Sequence, residues 1–292
     1  MLEHRRCIAR GSFGRRIYVT MKSAAKSHAV TFPVEKLRGH VSALEAAVAQ
    51  VLAKPRKEAV HRLRIASRRI EALLEVIAAL GQQEPDFAAV EKPIKRVKDG
   101  LASVRRAAGS VRDLDVQRRL AKEVAENGAT KKLRSEAKEL SDELRGDREV
   151  EAKELVTMLE AHALELEPGL EELMKALEPA AKVGLSQVDL EVLVQDWYKR
   201  KRGKADLKRR SADQMHGTRK AAKLARYMAE NGLEARVVKM FETVQETGGR
   251  WHDTLTLRDT ARKRVGKRSG LAELMDEREA KARNEFAALV AE

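Results

Sequence analysis

The chain holds one cysteine, Cys7, so no intramolecular disulfide framework braces it. Six prolines and seventeen glycines in 292 residues leave few obligatory breaks, and aromatics reach only 3%. That scarcity leaves little material for strands and few platforms for stacking nucleic-acid bases. No run of about 18 apolar residues is present to span a membrane. Also missing are a Walker-type Gly-rich loop, a zinc-spaced Cys/His set and a Gly-x-Ser-x-Gly element, so nucleophilic or metal-assisted hydrolysis has no visible apparatus. No cofactor or metal is expected, and a reducing cytosol is the expected compartment.

What is present favours helix. Ala, Leu, Glu, Lys and Arg dominate, and 43% hydrophobic residues supply a sizeable core, so the chain reads as all-α. Fifty-nine Lys and Arg stand against forty-five Asp and Glu, a net charge of +14 that points to a phosphate-bearing or otherwise acidic partner. Part of this excess sits in residues 1–30, where seven cationic side chains face only Glu3. A transit peptide has such a composition. We read the stretch instead as a basic, disordered tail, or as sequence preceding a true start at Met21, and set it outside the fold.

From Pro33 the punctuation is regular. Helices are predicted over about 34–53, from Pro55 to Leu80 with Gly81 as the stop, and over about 85–108, where Gly109 and Ser110 break the pattern before Arg112 opens a fourth. A long charged helix follows Gly128 to about Glu167, with a short one from Pro168 to Glu178. Residues 179–186 are the candidate linker, with Ser186 as an N-cap. The second half then repeats the plan: a helix with Trp197 and Tyr198, a helix ended by Asn231 and Gly232, one to about Thr247, a turn of chain from Trp251 after Gly248 and Gly249, and a last helix over about 271–290. An internal duplication follows, with halves at about 31–178 and 186–290.

The duplicated element carries the chemistry. VHRLRIASRR begins at Val60 and MHGTRKAAKLARY at Met215. At about 100° per residue, His61, Arg64 and Arg68 share one narrow arc, as do His216, Arg219, Lys223 and Arg226. Lys57 extends the first set to i, i+4, i+7 and i+11, while Leu63, Ala66, Ile70, Leu73 and Ile77 form an apolar stripe opposite. Such ladders present charge-assisted donors about every 5 Å, a spacing suited to a linear chain of phosphates. One ladder alone reads more simply as a solvated charged face. Two, each led by a histidine and each followed by further basic helix, favour a positive groove or pore. The histidines stay open between a neutral imidazole bonded to Asp113 or Asp253 and a protonated one on phosphate. Asp113 and Asp115 read as charges at a helix start rather than as catalysts, and Glu149, Glu151 and Lys153, an ExExK match, lie in helical sequence where carboxylates two apart diverge.

These segments, with VRDLDV from Val111 and a weaker echo, WHDTLTL, from Trp251, resemble the CHAD domain, the conserved histidine α-helical domain, over about residues 30–290. The resemblance implies two four-helix bundles related by a pseudo-twofold axis, with additional long charged helices, enclosing a basic channel that binds inorganic polyphosphate. His61, Arg64, Arg68, His216, Arg219, Lys223 and Arg226 would line it, with Lys57, Lys95, Arg96, Arg105 and Arg112 as further candidates. Leu224 stands where the family's pattern often has another basic residue, and the second acidic motif is degenerate. The expected function is non-catalytic polyphosphate binding, with association with polyphosphate granules left open. Weaker nucleic-acid binding, a polyphosphate phosphohydrolase using His61 or His216, and a purely structural adaptor stand as alternatives.

Overall fold

The computed structural model describes residues 6–7, 18–21, 30–81, 90–202 and 211–291, the side chains of 6–7, 18–21 and 162–165 excepted. Eight α-helices among the described residues carry the fold: α1 Pro33–Ala53, α2 Lys57–Gly81, α3 Glu91–Asn127, α4 Lys131–Ala176, α5 Gln187–Arg202, α6 Ala212–Ala229, α7 Ala235–Arg264 and α8 Gly270–Ala291. The expected all-α class holds, and the predicted stripe of α2, from Leu63 to Ile77, is buried throughout. Helix starts are chemically marked, and the predicted cap at Ser186 is among them. Thr130 accepts from the Leu133 amide, Ser186 accepts from the Asp189 amide, and Ser211 and Gln214 form a capping box on α6.

Three predicted breaks are absent. Residues 109–110 do not interrupt α3, which runs unbroken to Asn127, and α7 likewise passes through Gly248 and Gly249. Pro168 lies inside α4 on its exposed side, where the long packing of α4 on α3 outweighs one lost backbone hydrogen bond. The predicted start of the third helix at Pro85 falls outside the described residues. Where a linker was expected, Pro179–Lys182 form a 3₁₀ turn leading into a strand.

That strand belongs to a small sheet not foreseen in the sequence. Its members are β1 Arg6–Cys7, β2 Tyr18–Met21, β3 Val30–Thr31 and β4 Val183–Ser186, in the order β1-β2-β4-β3 with every pair antiparallel. Val19 pairs with Leu185 and Thr31 with the same residue on its other edge. The rest of residues 1–29, read as a tail, lies outside the described residues. No helix among the described residues is long and apolar enough to cross a membrane.

The packing order repeats. Neighbours α1/α2, α2/α3 and α3/α4 recur as α5/α6, α6/α7 and α7/α8, and α2 packs directly on α6. The largest core joins the apolar faces of α1, α2 and α6 to the first half of α3 and the end of α4. A second gathers the far ends of α3 and α7 against α4 and α8. In a third, Trp251 stacks on Phe286 and donates from Nε1 to Glu279 at 2.8 Å, which locks α7 to α8.

Gly248 makes this contact possible. A Cβ there would lie 2.7 Å from the fully buried Phe286 ring. Gly248→Ala is therefore expected to lower stability by about 1–3 kcal/mol through overpacking, despite alanine's better helix propensity. Urea denaturation measures this, and an unchanged or raised midpoint would show that the ring has room to move.

Candidate functional site

One face of each of α2, α3, α6 and α7 turns towards a shared cavity of about 990 Å³. Ten Lys or Arg side chains line it against four Asp or Glu. The apolar stripes of α2 and α6 are anchored in the core, so their opposite faces are obliged to look into this space.

Of the residues singled out in the sequence, His61, Arg64, Arg68, Arg105, Arg112, His216, Arg219, Lys223 and Arg226 all line the cavity. Lys57 does not line it, though its charge helps hold the His61 proton off. Lys95 and Arg96 point elsewhere. Both are exposed, and Arg96 bonds Glu172 on α4 at 2.9 Å while lying across Gly169. Leu224, the departure from the family's pattern, is buried in the core and has no face on the cavity.

Sequence reasoning missed Arg106, Lys220, Arg250, His252, Tyr227 and the cavity carboxylates Glu242 and Glu246. The two glycine sites held a usable signal. Gly109 and Gly249 precede Asp113 and Asp253 by the same four residues, and both line the cavity. Neither is a break, and at Gly109 and at Gly248, the neighbour of Gly249, the helix lets another side chain approach. A Cβ at Gly109 would lie 2.9 Å from Nη1 of Arg64, and one at Gly248 would lie 3.0 Å from Cγ of Arg219. Each half thus sets a glycine against its ladder arginine.

The cations differ in how far the protein satisfies them. Arg68 and Arg105 share Glu71, at 2.8 and 3.1 Å. Arg226 is engaged by Glu230 and Gln245 and stacks on Tyr227 with its guanidinium carbon 4.2 Å from the ring centre. Among the described residues Arg64 bonds only the Arg105 carbonyl, at 3.4 Å. Nε of Arg219 and Nη1 of Arg105 are buried with no hydrogen-bond partner among the described residues. Lys223 takes part in none of the hydrogen bonds or ion pairs found among the described residues, and it shares the cavity with Arg64, Arg68, Arg219 and Arg112, whose charges act on it. Buried donors without acceptors are costly.

Titration follows this crowding. Burial, then the neighbouring guanidinium groups, lowers Lys223 to about 7 and Arg105 to about 10. Burial and the same cations bring His216 and His252, whose ring centres are 4.9 Å apart, down to about 4. His61 moves in the same direction, chiefly by burial and then Arg112. The imidazoles at 216 and 252 are thus neutral at pH 7, and none of the hydrogen bonds among the described residues links His61 or His216 to Asp113 or Asp253. Asp253 is raised, first by burial, and it and Asp113 act on Arg219 and Arg64 through space.

Asp113 does not sit in a first helical turn, as expected, but deep within α3. Asp115 is structural: it accepts from Arg148, which also donates to the Pro55 carbonyl. Glu149, Glu151 and Lys153 lie within α4, in keeping with an accidental match. Among the described residues no three His, Cys, Asp or Glu side chains converge on a metal-sized point. Donors outnumber acceptors on the cavity wall, ten Lys or Arg against four carboxylates.

The chain belongs to the CHAD domain family, whose model matches residues 35–262. It is similar in fold to the CHAD domain from the plant Ricinus communis, with a TM-score of 0.57 and 19% identity over 92% of this chain and 91% of that one. It is also similar to PptA from Streptomyces chartreusis, at a TM-score of 0.50 and 18% identity, covering 89% of this chain and 96% of the other. No curated protein matches by sequence.

Removing the most crowded charge is expected to stabilise the fold. The Lys223 amine binds its proton near 10.5 when unfolded and near 7 when folded. Between those values the unfolded chain holds more protons, so native stability rises with pH. Lys223→Met should raise Tm at pH 7 by about 2–4 °C for each kcal/mol recovered. That gain should shrink as pH climbs towards 10.5. Thermal melts across this range measure it, and a gain independent of pH would trace it to packing instead.

Proposed function

We propose that this chain binds inorganic polyphosphate, without catalysis, in the cavity between α2, α3, α6 and α7. The observation that carries the reading is the set of buried, acceptor-less donors, Arg219 Nε and Arg105 Nη1, within a wall of cations. Phosphoryl oxygens supply the missing acceptors, and forked guanidinium groups suit them. From His61 to Arg68 the ladder covers about 10 Å of helix axis, so successive turns meet successive phosphates of a linear chain. In this reading the repeated helix order reflects two halves about a pseudo-twofold axis, and the cavity is the basic channel between them.

Nucleic acid fits the site less well. Tyr227 is the one aromatic ring among the cavity residues apart from histidines, and Arg226 covers it. No platform is left for a base. Hydrolysis also finds little support, because His216 and His252, brought to about 4, are weak bases at neutral pH. Time-dependent orthophosphate release from polyphosphate would overturn the non-catalytic part of this reading.

Binding of long-chain polyphosphate and of double-stranded DNA, at equal phosphate concentration and over a salt series, tests the proposal on wild type and Arg64→Glu/Arg219→Glu. Loss of one charge-assisted contact costs about 1.5–3 kcal/mol, roughly 10- to 100-fold in Kd. The double variant, shown to be folded by circular dichroism, should lose at least that for polyphosphate, and DNA should bind wild type more weakly throughout. Equal binding of both polymers, or an unaffected variant, would place the affinity on generic basic surface.

Binding should also depend on pH. Protonation of Lys223, near 7, adds a positive charge to the cavity, so polyphosphate affinity should rise as pH falls from 8 to 6. Calorimetry in buffers of different ionisation enthalpy should show proton uptake on binding that Lys223→Met abolishes. Uptake unchanged in that variant would assign the proton to another group.

A further inference from the structure

We propose that Lys223 is a site of acylation by acyl phosphates, the mixed anhydrides of a carboxylic acid and phosphoric acid. The inference rests on the reading of the cavity as a phosphate-binding site, and adds a covalent chemistry to it. Four guanidinium groups, Arg64, Arg68, Arg112 and Arg219, line the same cavity as this one amine, and their charges act on it. They are the groups that would hold the phosphoryl end of such a molecule, which leaves its acyl carbon beside Nζ. The amine is unencumbered: no ion pair or hydrogen bond among the described residues includes it, whereas Lys98, Lys122 and Lys239 are each paired with a glutamate.

The four guanidinium groups all act on the amine in one direction. Arg64, Arg68 and His61 come from α2, Arg112 from α3, Arg219 from its own helix and His252 from α7. The carboxylates of the cavity, Asp113, Asp253, Glu242 and Glu246, form no ion pair with it. Burial and the surrounding guanidinium groups bring the amine to about 7. A large share is then neutral and nucleophilic near neutral pH, by the same logic that activates desolvated lysines next to other cations.

The step balances without any further reagent. The neutral Nζ attacks the acyl carbon, a C–N bond forms, and the bond from that carbon to the phosphate oxygen breaks. Orthophosphate leaves with the bonding electron pair, held by the guanidinium groups, and the nitrogen's surplus proton passes to solvent. The product amide carries no charge and cannot take up a proton. Acylation therefore converts the cavity to a form with lower affinity for polyanions and little pH dependence.

The test treats the full chain with acetyl phosphate and, separately, with a neutral acetylating ester, and follows each lysine by peptide mass spectrometry. At pH 7.5 acetyl phosphate should label Lys223 at least about tenfold faster than the exposed, glutamate-paired Lys239, reflecting its larger neutral fraction. The rate should climb through pH 7 and level off, tripolyphosphate should suppress it, and Arg219→Gln should slow it without changing Lys239. Equal labelling of Lys223 and Lys239, or the same preference for Lys223 with the neutral ester, would overturn the proposal. Polyphosphate binding measured on the same preparation separates the two readings. Bound polyphosphate with unlabelled Lys223 refutes the acylation and leaves the polyphosphate reading intact. Labelled Lys223 that polyphosphate neither occupies nor protects upholds acylation and removes polyphosphate as the cavity's ligand.

Discussion

Repulsion among like charges held side by side is the constraint on which the rest of the structure depends. Ten Lys and Arg side chains face one cavity with four carboxylates to offset them. An isolated helix would turn such a face to water. Here α2 and α6 cannot, because Leu63, Ile70 and Ile77 on one and Ala222, Ala225 and Met228 on the other are fixed in the core at no more than 1% exposure. The hydrophobic effect acts on one side of each helix and presses the charges together on the other. The outcome is written in the titration of Lys223, in the neutral histidines and in the donors left without acceptors.

Close approach of the arginines is arranged from the backbone. Gly109 leaves room for the Arg64 guanidinium and Gly248 for the Arg219 stem, and both lie in uninterrupted helices. Glycine in a helix interior costs about 1 kcal/mol relative to alanine, a cost that continuous packing of α3 on α4 and of α7 on α8 offsets. Continuity matters to the site, since α3 and α7 each deliver residues to the cavity from their middles while their ends are held in separate cores. Asp113 and Asp253 then lie where they temper Arg64 and Arg219 through space without closing an ion pair that would occupy them.

Much of this was legible in the residues. The i, i+3, i+7 spacing of each ladder, the apolar stripe behind the first and the shared order of motifs place nine of the twelve chosen side chains on the cavity. Lys95 and Arg96 belong to the basic part of α3 before VRDLDV but not to its cavity face: Arg96 lies nine residues before Arg105, half a turn out of phase, and Lys95 lies about 15 Å along the axis from it. Arg105, Gly109 and Arg112 share the other side. Local propensity gives glycine as punctuation, whereas the tertiary reason for it, the volume of a side chain on another helix, is set 45 positions away at Arg64. The small sheet was illegible for a similar reason: Val183–Ser186 is too short to show a period, and its partners lie far upstream.

The central claim is that the unpartnered donors of the cavity bond phosphoryl oxygens. A crystal structure of the full chain with inorganic tripolyphosphate tests it most directly. The account predicts ordered phosphoryl groups between α2 and α6, with oxygens within hydrogen-bond reach of Arg219 Nε and Arg105 Nη1 and with Arg64 turned towards them. Tripolyphosphate ordered instead along the basic end of α5, from Lys199 to Arg202, with those two atoms still unpartnered, would contradict it.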